Sequence, residues 1–359
     1  MATYGYLVFL VRVSVPFRPK ELQRLSAVGD DGADLLDLLG QAFDGLGPGY
    51  HPMPRSAEGF RVRETTTSGR SLWVRVNRGP QGPRGETYDL DTALSTDTTE
   101  RQALLSGLRV MFVLPKDSYY GLLFVERIGA RHLRDLLAGT VLEAVTQASG
   151  VLVRLEAYAE AEDWQRELAG SDLLRVSELL HSADGSEDAS TPQDRVVRIV
   201  TEGSAVRAAG RAVKDLLAAR FGTRRERVGA QADIALLAER RRAREADFTV
   251  QDEAEYQRLT AMLAEGQRPG SVEEALQRTL TGLVPVDREG LDHKKFDVAL
   301  GDGSSGERNF VVESNAVPQF VYVLGDLLPD AALRDAWRQH ATTILRNLGV
   351  SLPQGRADG

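Results

Sequence analysis

Residues 108–114 (Leu-Arg-Val-Met-Phe-Val-Leu) and 119–126 (Tyr-Tyr-Gly-Leu-Leu-Phe-Val-Glu) stand either side of Pro115-Lys-Asp-Ser118. Branched and aromatic side chains at that density, broken by four turn-forming residues, specify a β-hairpin. An isolated hairpin is marginal in water, so its apolar face needs a cover. The following residues supply one. Leu133, Leu136, Leu137, Val141, Leu142 and Val145 recur at spacings of three and four, which predicts a helix over 131–147 with a single apolar stripe. Residues 151–158 then alternate in polarity, the period-2 signature of a half-buried strand. A further helix is predicted over 160–168, and a strand or short helix over 173–180. The order β-β-α-β-α predicts the α+β class, with a mainly antiparallel sheet and packed helices in an N-terminal domain.

Upstream, residues 4–15 are rich in Val, Phe and Tyr and stop at Pro16, which predicts a strand. Leu22, Leu25, Leu35, Leu36, Leu38, Leu39 and Phe43 flank Gly29-Asp-Asp-Gly32 and predict two short helices separated by that break. Residues 45–59 read as a loop, and 60–64, 71–77 and 86–90 as short strands. The apolar run 6–15 lacks a basic flank and is interrupted by Arg12, so it reads as a strand and not as a leader. No stretch reaches the roughly 18 apolar residues of a spanning helix, and a cytoplasmic protein without membrane partners is expected.

At 359 residues the chain is long enough for about two domains. Residues 181–193 contain no large apolar side chain, which places a linker there between a domain at 1–180 and a second part at 194–359. That second part reads as a strand at 195–200, helices over 203–221 and 231–265 stopping at Gly266, and then a small α+β portion. In it, strands 296–300 and 309–313 flank the turn Gly301-Asp-Gly-Ser-Ser-Gly306, 320–324 adds a third strand, and a last helix covers 330–348.

Most catalytic signatures are missing. The chain has no Cys, which removes disulfides, thiol nucleophiles and thiolate metal sites. No Walker-type phosphate loop and no Gly-x-Ser-x-Gly elbow occurs. Gly301, Gly303 and Gly306 have dinucleotide-motif spacing, but a strand follows them and no helix N-terminus is offered to a pyrophosphate. The five His, at 51, 132, 181, 293 and 340, include no pair within one helical turn. His132 lies with Arg131 and Arg134 at a predicted helix start, where an anion could be held or where the charges simply form a solvated first turn. No cofactor, no metal site and no catalytic residue is assigned. The enzymatic alternative is a Mg²⁺-dependent nuclease or phosphohydrolase. It would use Asp297 and Glu313 on adjacent strands, near Asp292, Asp302, Lys294 and Lys295, although Asn315 stands where such sites usually carry Lys.

Charge distribution points elsewhere. The whole chain carries 44 Lys and Arg against 52 Asp and Glu, a net charge of -8, yet residues 203–244 hold eleven basic and four acidic side chains, a local charge of +7. Ten of the eleven are Arg, whose planar fork suits phosphate. Arg224, Arg225, Arg227, Arg240, Arg241, Arg242 and Arg244 are therefore the predicted nucleic-acid-binding residues. The competing explanation is charge pairing with the acidic stretch Glu245, Asp247, Asp252, Glu253 and Glu255. With an α+β N-terminal domain and a basic helical segment, the chain is reminiscent of bacterial accessory proteins of multi-subunit assemblies, phage-defence complexes among them. That resemblance implies a non-enzymatic binding protein with a nucleic-acid partner and a protein partner or further copies of itself. The apolar stripes of 231–265 are too narrow for a core, which also favours assembly.

Overall fold

The computed structural model describes residues 4–53, 58–80, 82, 85–88, 95–98, 103, 105–129, 131–170, 172–182, 195–200, 214, 224–243, 248–265, 291–301, 308–311 and 319–350. Its contacts divide the chain into one unit formed by 1–158 together with 321–359, and a second formed by 159–320. Up to residue 158 the elements are β1 (Tyr4–Val15), β2 (Arg18–Gln23), α1 (Leu35–Leu46), β3 (His51–Pro52), β4 (Glu58–Ser68), β5 (Ser71–Pro80), β6 (Gly85–Tyr88), β7 (Ser95–Thr98), β8 (Ser106–Val113), β9 (Gly121–Ile128), α2 (Arg134–Ser149) and β10 (Leu152–Tyr158). The second unit holds α3 (Ala161–Gly170), β11 (Asp172–Ser182), β12 (Arg195–Val200), α4 (Arg224–Ala243), α5 (Val250–Glu265), β13 (Leu291–Gly301) and β14 (Arg308–Val311). The chain then returns to the first unit with β15 (Val321–Leu324) and α6 (Asp330–Asn347). None of the described helices is long and apolar enough to cross a membrane.

The first unit is a curled antiparallel sheet in the order β10-β1-β9-β8-β5-β4-β3, with β2 and β15 also paired to β1. Alternation sorts its side chains. Leu7, Phe9, Val11 and Val13 of β1 lie in one core with Val74, Val110, Phe112 and Val125, beneath Leu35, Leu39 and Phe43 of α1 and Leu136, Leu137 and Val145 of α2. Tyr6, Trp73 and Phe124 meet Trp337 of α6, whose ring stacks on Phe124 at 5.7 Å. Helix α6 buries Leu333, Trp337, Ala341, Ile344 and Leu345, a stripe at helical spacing. Asp34 caps α1 by accepting from the Leu36 N–H at 2.9 Å and is gripped by both terminal nitrogens of Arg70 at 2.6 and 3.1 Å. In α2 the segment Leu137–Val141 winds as a π turn, and the helix stops at Gly150 in the left-handed conformation.

Several expectations change here. The helix predicted around Leu22 and Leu25 is absent: Phe17, with φ 62 after Pro16, turns the chain back so that β2 pairs with β1. Only the second of the two expected helices, α1, forms. The 45–59 segment contributes the short strand β3, paired through His51 and Phe60. The segment 320–324 does not extend the C-terminal hairpin: β15 pairs with β1 instead, helped by Gly5, where a Cβ would lie 2.7 Å from the Tyr322 carbonyl oxygen. Of the linker expected at 181–193, residues 183–193 lie outside the described residues. His181 and Ser182 are the last residues of β11, which pairs with β12 on one side and β13 on the other, so Leu173–Leu180 belongs with the second unit. Composition does not reveal a strand whose partner lies more than 100 residues away.

The register around β1 shows how the two units are joined in sequence. Val8 pairs with Tyr158 of β10, and the next residue of β1, Leu7, pairs with Val321 of β15. Strands β10 and β15 thus run as one interrupted strand along the same edge of β1. The 162 residues from Ala159 to Phe320 are inserted at the interruption.

Candidate nucleic-acid interface

Helices α4 and α5, at 224–243 and 250–265, form a helical hairpin. Ala230, Ile234 and Leu237 on α4 face Tyr256, Leu259 and Leu263 on α5, with Phe248 at the bend. Both stripes follow helical spacing and both are narrow. The single helix expected over 231–265 is two helices, because Thr249-Val-Gln-Asp252 is a reciprocal cap. The Thr249 N–H donates to Asp252 Oδ2 at 2.7 Å, and the Asp252 N–H donates to Thr249 Oγ1 at 3.2 Å. Donation from the Thr249 N–H and, at 2.8 Å, from the Thr249 hydroxyl, with Arg240 beside it, holds the Asp252 carboxyl below its ordinary range.

The predicted arginines are distributed unevenly. Arg240 contacts Asp252 at 3.2 Å and Arg241 contacts Glu253 at 3.2 Å. Their guanidinium groups also lie 6.0 Å from the Phe248 ring centroid and 5.6 Å from that of Tyr256. Charge pairing between the two helices is therefore present at those two positions. Arg242 in the last turn of α4 is exposed and Arg227 in its first turn is half-buried, and neither has a carboxylate partner among the described residues. They stand 15 residues apart, about 22 Å along the helix axis. Arg224 and Arg225 begin the same helix, and Arg244 lies outside the described residues. Burial and the neighbouring Glu255 push the Asp233 carboxyl up, whereas Arg258 holds Glu255 down.

For the alternative site, Asp297 sits on β13 opposite Val311 of β14, while Asp302 and Glu313 lie outside the described residues. Gly301 ends β13, and Gly303 and Gly306 are likewise outside. Among the described residues no group of three or more His, Asp or Glu is placed to hold a metal ion. His132 takes part in the start of α2: its Nδ1 accepts from the Arg134 N–H at 3.4 Å and its carbonyl accepts from Arg78 at 2.7 Å. Burial pushes its imidazole towards the neutral form that this acceptor role requires.

Two polar features of the first unit were not singled out from the sequence. Arg109 and Glu126 form a buried two-pronged ion pair, and Arg109 also donates to the Leu328 carbonyl at 2.6 Å and Asp330 Oδ1 at 2.9 Å, which ties the start of α6 to the sheet. An Arg and a Glu inside otherwise apolar strands were the available signal. The other is an open groove of about 610 Å³ between α2 and β10, lined by Arg134, Ala138 and Leu142 on the helix and by Leu152–Glu156 on the strand. No family model, curated protein or solved structure matches this chain.

Proposed function

We propose that this protein is a non-enzymatic bacterial binding protein that engages nucleic acid through the α4–α5 hairpin and acts as a subunit of a larger assembly, of which a phage-defence complex is one kind. The observation that carries the reading is the charge of +7 over residues 203–244 in a chain of net charge -8. Arg242 and Arg227, without carboxylate partners among the described residues, are the first phosphate contacts to test, joined by Arg224 and Arg225. Arg240 and Arg241 are held by α5, so they contribute field and shape more than free forks. Contacts of this kind go to backbone phosphates, and binding is weakly sequence-specific and steeply salt-dependent.

The test is titration of a labelled duplex of DNA or RNA at 50 and 200 mM salt. The expected result is a loss of at least tenfold in affinity across that range. The variant Arg224→Glu/Arg225→Glu/Arg227→Glu/Arg242→Glu is expected to abolish binding. Binding that is absent at low salt, or unchanged in the variant, overturns the reading.

A further inference from the structure

Strand β10 is the last strand on its side of the sheet. It pairs with β1 through Ser14↔Leu152 to Val8↔Tyr158, and no described strand pairs with its other side. Natural sheets blunt such an edge with charged side chains, Pro, a bulge or a covering element, and β10 carries no Pro but two charges of opposite sign, Arg154 and Glu156. Here the seven residues Leu152-Val-Arg-Leu-Glu-Ala-Tyr158 pair with β1 in unbroken register. Their outer side opens on the groove beneath α2.

The order of side chains on this edge selects an occupant. Val153, Leu155 and Ala157 pack with the core under the helices, so by alternation Leu152, Arg154, Glu156 and Tyr158 occupy the opposite face. Arg154 lies directly across from Arg12 in the β1 ladder, a like-charge pair, and has no carboxylate partner among the described residues. Glu156 pairs with Arg12, one position along. An antiparallel strand of identical sequence, related by a two-fold axis at Leu155, brings Arg154 opposite Glu156 of the second copy and Glu156 opposite Arg154 of the second copy. On the core face, Val153 meets Ala157 of the second copy, and the two Leu155 side chains meet at the axis. Centring the axis at Arg154 or Glu156 would oppose like charges, and a one-residue slip would put apolar residues against charged ones. One register is thus favoured by charge and by polarity together.

We propose that two copies of this chain associate through β10, pairing edge to edge about Leu155 so that the two sheets become one continuous sheet. This interface belongs to the first unit, whereas the α4–α5 hairpin belongs to the second, and it does not depend on nucleic-acid binding. The mass in solution is expected to be twice the 39.3 kDa of the chain. Arg154→Glu sets Glu against Glu156 of the second copy and is expected to weaken self-association at least tenfold, while Arg154→Lys retains it. Because the chain has no cysteine, Leu155→Cys provides a single thiol, and a short bis-maleimide is expected to link two such chains in high yield at micromolar concentration. A monomer by light scattering at that concentration, whatever else binds the edge, overturns the proposal. So does a dimer that is indifferent to Arg154→Glu, or one that leaves position 155 uncrosslinked. If Arg154→Glu fails to fold, the crosslinking result alone decides.

Discussion

At the scale of single residues, the sheet depends most on a charged pair in its interior. Val110 faces Val125, so one step along the ladder Arg109 faces Glu126. Their side chains are 8% and 3% exposed, and Asp330 adds a second carboxylate on Arg109. Burial works against the guanidinium charge, yet the hydrogen bonds and fields of Glu126 and Asp330 outweigh it and raise the Arg109 pKa. Removing Arg109 leaves the Glu126 charge buried and uncompensated, which costs about 3–5 kcal/mol. Arg109→Met is therefore expected to lower the urea midpoint sharply. Arg109→Met/Glu126→Leu should lose much less, because no orphan charge remains, and equal losses in the two variants would contradict the argument. A sequence shows that Arg109 and Glu126 interrupt apolar runs, but only the register shows that they interrupt them at the same place.

Elements with local signals were the legible ones. The hairpin of β8 and β9, the stripe that makes α2 and the helix α6 all rest on patterns contained within about 20 residues, and each forms where those patterns place it. Strands β2 and β15 were misplaced because their assignment depends on a partner. Leu22 and Leu25 fit a helical spacing as well as a strand, and it is the turn at Phe17 that decides. The candidate interface was half legible: charge counting found the basic helix, and the acidic residues that pair with Arg240 and Arg241 were visible as a competing explanation. The spacing Thr249-Val-Gln-Asp252 is itself a capping signature in the sequence. Its loss in Thr249→Ala should cost about 1 kcal/mol locally and speed amide exchange in the first turn of α5 about fivefold. Acid should act through the same cap. The Asp252 pKa is depressed in the folded hairpin, so its stabilising contribution is complete above its ordinary value near pH 4 and is lost as pH falls through the lower folded value. Wild type is thus expected to exceed Asp252→Asn in α5 exchange protection at pH 7, with the difference shrinking as pH falls below that ordinary value. A difference that grows on acidification would reverse the sign.

For the whole molecule, the register at the interrupted strand makes a strong claim about modularity. Deleting 159–320 and joining Tyr158 to Val321 should preserve every pairing of β1, since consecutive residues Val8 and Leu7 face those two ends. The shortened chain is expected to unfold in one cooperative transition by circular dichroism and to have lost nucleic-acid binding with α4. A molten or aggregated product would mean that the second unit supplies part of the first unit's stability. The same interruption has a kinetic consequence. Pairing β15 with β1 closes a loop of 162 residues, an entropic cost of about 4–5 kcal/mol if the intervening chain is unstructured. A second unit that has already folded presents its two ends as a nearly fixed pair and removes most of that cost. On a growing chain, β1 and β10 emerge early, while β15 and α6 emerge last. Closure of the aromatic layer around Trp337 thus waits on the maturation of what lies between, and the C-terminal helix acts as a late latch on a sheet begun some three hundred residues earlier.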